Sequence, residues 1–173
     1  KFFNKYNRIK KFNNISAFLM PIWRENNLEI ENSLLPSPSF SFLRNKTILK
    51  TMFVSKKLDV ESNYLKNKIP KNRLKHILKE DWIGKPILSN FTYLTSANSI
   101  HHLYHLIRFA EKTKIPLMKI NTVIEWGGGY GNLAKIFIRL KGAPTTYILI
   151  DIPIFSCLQW LYLSTIFGEK SVN

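Results

Sequence analysis

The clearest pattern of apolar and polar positions in the chain predicts an amphipathic helix between Asn98 and Lys114. Apolar residues recur there at intervals of three and four and so share one helix face: Ile100, Leu103, Tyr104, Ile107 and Ala110. Ser99 or Asn98 is the expected N-cap, because short polar side chains accept hydrogen bonds from the first free backbone N–H groups. The helix is expected to end near Lys114, before Pro116.

Downstream of this helix, strand and helix patterns alternate. Residues 121–126 and 145–153 are short runs rich in β-branched and aromatic residues, which predict strands. Helical spacing follows over residues 132–142 and 155–168, and residues 171–173 are the expected start of a third strand. The order β-α-β-α-(β) is typical of a parallel sheet with crossover helices. We therefore predict the α/β fold class, with a partial Rossmann-like parallel sheet.

Residues 1–95 are predicted to be a basic, mainly helical N-terminal region that precedes the sheet-forming residues 96–173. The first stretch has apolar residues at loosely helical spacing: Phe12, Ile15, Phe18, Leu19, Ile22 and Trp23. Residues 35–41, LPSPSFS, are rich in Pro and Ser and predict an irregular connection. Short basic amphipathic helices are expected over residues 46–79, with a break at Pro70.

The net charge changes this picture little. The chain of 173 residues carries a formal charge of +15, and residues 1–90 hold 18 Lys and Arg against 7 Asp and Glu. These basic residues are scattered among Asn, Ile and Phe, a bias that an AT-rich genome would give to any protein. We therefore expect no nucleic-acid partner. The charge can instead attract anionic substrates or provide a peripheral contact with a membrane surface.

Composition bounds the remaining classes of protein. With 45% hydrophobic residues, the chain can build a core and is not disordered by composition. The single cysteine, Cys157, excludes an internal disulfide framework and fits a reducing compartment, so we expect a cytoplasmic protein. The longest apolar stretch, residues 152–167, contains polar residues and falls short of the ~20 apolar residues that a spanning helix needs.

Four of the seven glycines lie in one stretch, residues 127–131, directly after the predicted strand 121–126. A strand that runs into a helix brings its carboxyl end to the helix N-terminus, where backbone N–H groups are unpaired and the helix dipole is positive. Glycine has no Cβ, so a nucleotide-like ligand can approach the backbone there. We therefore predict a ligand-binding loop at this turn.

Two ligand templates fit this glycine loop. Residues 129–134 match the G-x-G-x-x-G/A dinucleotide fingerprint, and Asp151 follows its second glycine by twenty residues. The second template is acidic-x-G-x-G-x-G, matched by Glu125, Gly127, Gly129 and Gly131. It accounts for more of the sequence, because it also uses the glutamate at the strand end and the earliest glycine.

The second template is the pattern of class I S-adenosylmethionine (SAM) methyltransferases. Residues 125–137, EWGGGYGNLAKIF, and residues 147–163, YILIDIPIFSCLQWLYL, resemble the bacterial sugar O-methyltransferase family, whose members are associated with surface-polysaccharide synthesis. The Asp-Ile-Pro turn at residues 151–153 also resembles the Asp-Leu-Pro of plant small-molecule O-methyltransferases. The resemblance covers residues 96–173. It implies SAM as the methyl donor and a carbohydrate hydroxyl as the acceptor.

The resemblance implies cofactor contacts from the glycines and from the residues at the two strand ends: Glu125, Gly127, Gly128, Gly129, Gly131, Asp151 and Ile152. Glu125 would contact the methionine end of the cofactor, and Ile152 would pack on the adenine. The Asp151 carboxylate can accept hydrogen bonds from both ribose hydroxyls. Simpler roles stay open: Gly128 can serve backbone geometry alone, Glu125 and Asp151 can cap nearby N–H groups, and Ile152 can be core.

Three histidines on the predicted helix are the candidate catalytic bases: His101, His102 and His105. Methyl transfer to a hydroxyl is an in-line displacement on a sulfonium, and a histidine that removes the hydroxyl proton would assist it. His101 and His105 share a helix face at a spacing that can bind a metal. No Glu or Cys lies beside them in the sequence, so we expect no metal site. A solvated helix face is the simpler alternative for all three.

These observations predict a SAM-dependent O-methyltransferase that acts on a sugar hydroxyl. The alternatives are an NAD(P)-dependent oxidoreductase and a non-catalytic basic binding module. Glu125 and Gly127 favour the methyltransferase over the oxidoreductase, and the glycine loop favours both over the binding module. Because a class I methyltransferase sheet has about seven strands, we also expect these residues to form an incomplete domain that is inactive alone and tends to associate.

Overall fold

The computed structural model describes residues 1–10, 20–54 and 58–173. The elements, in chain order, are α1 (Phe2–Lys10), α2 (Pro21–Leu34), α3 (Lys46–Met52), α4 (Asp59–Lys68), α5 (Lys71–Leu78), α6 (Ala97–Thr113), β1 (Thr122–Trp126), α7 (Asn132–Lys141), β2 (Thr146–Ile150) and α8 (Pro153–Phe167). Single 3-10 turns occur at Phe42–Arg44, Leu117–Lys119 and Glu169–Ser171. Four predicted apolar positions of the first stretch lie outside the described residues: Phe12, Ile15, Phe18 and Leu19.

The helices expected over residues 46–79 are present as α3, α4 and α5. The helical conformation is interrupted between α4 and α5 at Pro70, the predicted position. Asn45 caps α3, because its side-chain oxygen accepts hydrogen bonds from the N–H groups of Thr47 and Ile48 at 2.9 and 3.1 Å. The N-terminal region is therefore helical, and its described residues contribute no strand to the sheet.

Helix α6 begins at Ala97, slightly earlier than expected, because Ser96 is its N-cap. The Ser96 hydroxyl accepts a hydrogen bond from the N–H of Ser99 at 3.3 Å. Asn98, a predicted cap, instead binds backbone groups of residues 52–54, with its amide 2.7 Å from one carbonyl and its oxygen 2.7 Å from one N–H. The Asn98 side chain is therefore engaged in a long-range contact and does not cap the helix. The predicted end of the helix is confirmed.

Strands β1 and β2 form a two-stranded parallel sheet, connected through α7. The register pairs Thr122 with Thr146 and Trp126 with Ile150. The third strand expected at residues 171–173 does not form. A 3-10 turn takes its place, in which the N–H of Ser171 donates to the carbonyl of Gly168 at 3.1 Å. The fold is a mixture of helix and strand, with a helical N-terminal region before a parallel sheet.

The apolar side chains of the described residues form two buried clusters, and each contains residues from before and after position 95. The first cluster joins α1 and α2 to α8, with Tyr6 and Tyr162 among its buried members. The second joins α4, α5 and α6 to α7, with Leu74 and Leu103 buried in it. A fully buried leucine contributes about 1.5–3 kcal/mol to the free energy of unfolding. The N-terminal helices therefore hold in place the two helices that follow β1 and β2.

One face of the sheet is covered and the other is exposed. The partly buried residues of the covered face are Val123, Glu125, Tyr147 and Leu149, and the apolar residues of the opposite face are Ile124, Trp126, Ile148 and Ile150. Trp126 is 83% exposed. Parallel sheets usually have both faces covered. Within the described residues, the exposed face of this sheet therefore lacks the covering layer that parallel sheets usually have.

Candidate functional site

The glycine loop, residues 127–131, connects β1 to α7 at the carboxyl end of the sheet. The N–H of Gly127 donates to the carbonyl of Ile150 at 2.9 Å, which ties the start of the loop to β2. Gly131 is the N-cap of α7 and has a φ of +91°. A left-handed conformation costs a residue with a side chain about 1–2 kcal/mol. The backbone path itself therefore favours glycine at this position.

The four glycines differ in what a side chain would meet. A Cβ on Gly127 would have no atom within 4 Å, whereas on Gly128 it would lie 2.5 Å from the side chain of Leu149. On Gly129 and Gly131 it would lie 3.5 and 3.3 Å from side chains of α3 and α8. Open space for a ligand therefore lies at Gly127. At Gly128 and Gly131, glycine lets the loop pack closely on its neighbours, whereas at Gly129 a Cβ would make ordinary contacts and the φ of +56° favours glycine.

Asp151 follows β2 and is linked to the glycine loop through Gln159 of α8. The Gln159 side-chain amide donates to the Oδ2 of Asp151 at 2.8 Å and to the carbonyl of Gly129 at 3.0 Å. The Oδ1 of Asp151 accepts from the N–H of Ile152 at 2.9 Å. The backbone N–H of Gly129 also donates to this carboxylate, so the glycine loop holds Asp151 directly as well as through Gln159. Sequence reasoning missed Gln159, and the signal for it is a polar residue within the apolar stretch 152–167.

Glu125 lies on the covered face of the sheet. The Oε2 of Glu125 accepts a hydrogen bond from the Tyr147 hydroxyl of β2 at 2.8 Å. Burial raises the pKa of Glu125 above its usual range, and the charge of Asp151 adds to the rise. Burial also raises the pKa of Asp151. The two acidic side chains thus interact within a poorly solvated corner beside the glycine loop. Ile152 is half-buried against the first cluster.

A buried network of hydrogen bonds connects α7 to the start of α6. Lys135 and Glu80 form a fully buried ion pair with an N–O distance of 2.7 Å. The second carboxylate oxygen of Glu80 accepts from the hydroxyls of Ser96 and Ser99, both at 2.5 Å. Burial alone would raise the pKa of Glu80, but the charge of Lys135 and the hydrogen bonds outweigh it and hold the pKa below its usual range. The carboxylate is therefore ionised and fixes the two helices together.

His102 joins this network through Asn132, the first residue of α7. The Oδ1 of Asn132 lies 3.2 Å from the hydroxyl oxygen of Ser99, whose proton is donated to Glu80, and the Asn132 side-chain amide donates to the Nδ1 of His102 at 3.0 Å. Burial, followed by neighbouring positive charges, lowers the pKa of His102 to about 4. The ring is therefore neutral near pH 7, with its proton on Nε2. His102 can accept a proton on Nδ1 only when the hydrogen bond to Asn132 opens.

His101 and His105 lie where α6 faces α4, and the partner of His101 is Glu61 of α4. The Nδ1 of His101 lies 3.0 and 3.1 Å from the two carboxylate oxygens of Glu61. Among the hydrogen bonds of the described residues, none joins this pair to the glycine loop or to Asp151. The structure therefore brings His102 alone of the three histidines to the start of α7. Sequence reasoning missed Glu61, because forty residues separate it from His101.

Comparison of the chain with protein-family models, with curated proteins and with solved structures found no match in any of the three. Within residues 1–10, 20–54 and 58–173, no helix has both the length and the apolar character needed to cross a membrane. Function is therefore inferred from the chemistry of the chain's own residues.

Proposed function

We propose that the chain is part of a SAM-dependent O-methyltransferase that transfers a methyl group to a sugar hydroxyl, and that its sheet is part of a Rossmann-like domain. The observation that supports this best is the corner at the carboxyl ends of β1 and β2. In this corner, the open space at Gly127 lies beside the strand ends where Glu125 and Asp151 are located. In open α/β sheets, ligands bind outside the carboxyl ends of the strands. The resemblance of residues 125–137 and 147–163 to sugar O-methyltransferases points to the same corner.

The residues of this corner fit an adenosine-containing ligand. Asp151 places a carboxylate at the end of β2, and a carboxylate can accept hydrogen bonds from the hydroxyls of a ribose. Ile152 offers apolar surface next to it, and Glu125 offers a carboxylate for the amino-acid end of the ligand. Bound SAM would supply an electrophilic methyl group on a sulfonium. The role of the protein is to orient that methyl group and to exclude water around it.

The base that removes the hydroxyl proton is assigned to α6, with His101, His102 and His105 as the candidates. His102 is the one that is hydrogen-bonded to the start of α7. Its neutral state near pH 7 is the form that can accept a proton. Opening of its hydrogen bond to Asn132 would make Nδ1 available to an acceptor hydroxyl. The sugar acceptor is implied by the resemblance of residues 125–137 and 147–163 to sugar O-methyltransferases.

Calorimetric titration of the full-length protein with S-adenosylhomocysteine, NAD and NADP tests the cofactor. The proposal predicts binding of S-adenosylhomocysteine and no comparable binding of either nicotinamide. Tighter binding of NAD or NADP would favour the oxidoreductase, since residues 129–134 also match the dinucleotide fingerprint. Absence of binding for all three ligands would favour a non-catalytic basic module.

A further inference from the structure

His101 and His105 form an unusually close pair of imidazoles on one face of α6. Their Nε2 atoms are 3.1 Å apart, and the two ring planes cross at 84°. A proton between the two nitrogens makes this a hydrogen bond. Without that proton, two lone-pair nitrogens lie 3.1 Å apart, an arrangement that a shared cation would stabilise. Two nitrogen ligands of a tetrahedral zinc ion, at about 2.0–2.1 Å from the metal, lie about 3.3 Å from each other. The observed separation is thus close to that of a chelating pair.

Glu61 prepares one of the two rings for this role. Both of its carboxylate oxygens lie within 3.1 Å of the Nδ1 of His101, so the ring proton sits on Nδ1 and the lone pair on Nε2. Histidines that bind metals commonly donate their second ring N–H to a carboxylate, which fixes the tautomer and raises the basicity of the ligand nitrogen. Here that carboxylate comes from α4, a different helix from the one that carries the pair.

The pair is accessible, whereas Cys157 and His102 are not available as ligands. His105 is exposed and the His101 side chain is 31% exposed, so water can complete the coordination of a bound ion. Cys157 is fully buried, and the Nδ1 of His102 is hydrogen-bonded to Asn132. Within the described residues, no group of three or more His, Cys, Asp or Glu is arranged to hold a metal ion. Any site at the pair therefore has two direct protein ligands and open positions.

We propose that His101 and His105 bind a divalent transition-metal ion of the zinc type through their Nε2 atoms, with Glu61 orienting His101 and water completing the coordination. The expectation of no metal site came from the absence of a neighbouring carboxylate in the sequence, and the fold supplies one. With open positions and two ligands, the ion is exchangeable and does not hold the fold together. The proposal does not rest on the methyltransferase assignment, but an ion held by both Nε2 atoms would leave His102 as the candidate base of α6.

Calorimetric titration of Zn²⁺ into the full-length protein, compared among variants, tests the site. His105→Ala should lose the binding event, because one of the two direct ligands is gone. Glu61→Gln should weaken it by about 10–100-fold, the usual effect of removing an orienting carboxylate. His76→Ala is the matched control, since His76 is an exposed histidine on α5, and it should bind Zn²⁺ as the wild type does.

Thermal unfolding with and without Zn²⁺ provides a second readout. Binding to the folded chain should raise the melting temperature of the wild type and of His76→Ala, and leave that of His105→Ala unchanged. Circular dichroism checks that the variants are folded. Equal Zn²⁺ binding by the wild type and His105→Ala would overturn the proposal, as would an equal loss in His76→Ala. Unchanged affinity in Glu61→Gln would overturn the orienting role of Glu61.

Discussion

At the scale of single residues, substitution of Asp151 gives the sharpest test of the proposed cofactor contact. Asp151→Ala should weaken the binding of S-adenosylhomocysteine by about 1.5–3 kcal/mol, because it removes hydrogen bonds between a charged acceptor and the ribose. Calorimetry of the full-length protein measures the change. Glu169→Ala is the control: it removes an exposed carboxylate paired with Lys1 and should leave the affinity unchanged. Equal affinity of Asp151→Ala and the wild type would reject the assignment of Asp151.

Gln159 is the residue that ties the glycine loop to Asp151. Gln159→Leu should lower the free energy of unfolding by about 1–3 kcal/mol, because it leaves the Gly129 carbonyl and one Asp151 oxygen without this donor in a buried place. Urea denaturation measures the loss. Ser164→Ala, also on α8, removes a buried hydroxyl that donates within its own helix. It should cost less than Gln159→Leu, and the reverse order would contradict the linking role of Gln159.

At the scale of elements, the contact between α6 and α7 makes stability depend on pH through His102. The pKa of His102 is about 4 in the folded chain, against an ordinary value of 6.5, so the unfolded chain takes up the proton first. The free energy of unfolding should therefore fall as pH is lowered from 6.5 towards 4, by up to about 3 kcal/mol.

Urea denaturation between pH 7 and pH 4 measures this dependence, and the difference between variants isolates His102 from the carboxyl groups. His102→Asn keeps an acceptor for the Asn132 amide and should show a flatter dependence than the wild type. His76→Asn, the same change at an exposed position of α5, should follow the wild type. An undiminished dependence in His102→Asn would show that His102 is not the buried group that titrates.

Alanine substitution along α6 identifies the base. If α6 supplies it, single replacement of His101, His102 or His105 should lower turnover at one position at least and leave cofactor affinity nearly unchanged. Methyl transfer from labelled SAM to a sugar acceptor, measured with the full-length protein, gives the turnover. Full activity in all three variants would place the base outside this helix.

The elements from residue 46 onward could be predicted where the sequence carries a local signal. The helices over residues 46–79, the break at Pro70 and the alternation that begins at residue 121 all follow from spacing and from breaker residues. The start of α6 was predicted less accurately, because the Asn98 side chain forms hydrogen bonds with the backbone at the end of α3 and is not the cap. The prediction of a third strand at residues 171–173 was wrong, because the N–H of Ser171 is hydrogen-bonded to Gly168 in a turn.

The candidate site could be predicted only where its residues are close in sequence. The glycine loop and Asp151 each follow a strand, so their meeting at one sheet edge follows from the β-α-β order. Gln159 and Glu61 act through contacts across 30 and 40 residues, which no local pattern contains. Sequence reasoning likewise placed the three histidines together, although they face two different neighbours.

At the scale of the whole molecule, the exposed apolar face of the sheet predicts self-association. Trp126 and Ile124 lie on that face at 83% and 66% exposure, and contiguous apolar surface of this kind promotes association. Trp126→Ser combined with Ile124→Thr should shift residues 1–173 towards monomer in sedimentation velocity. Val60→Ser, at an exposed apolar residue of α4, is the control and should not. Association that is unchanged in the double variant would show that another surface drives it.

Hydrogen–deuterium exchange of the full-length protein with S-adenosylhomocysteine tests the central claim most directly, because it reports both binding and its place. The account predicts slower exchange of the backbone amides over residues 127–131 and 151–152 when the ligand is present. NAD at the same concentration should leave these amides unchanged. Protection by NAD and not by S-adenosylhomocysteine, or protection confined to residues 1–95, would contradict a SAM site at the glycine loop and Asp151.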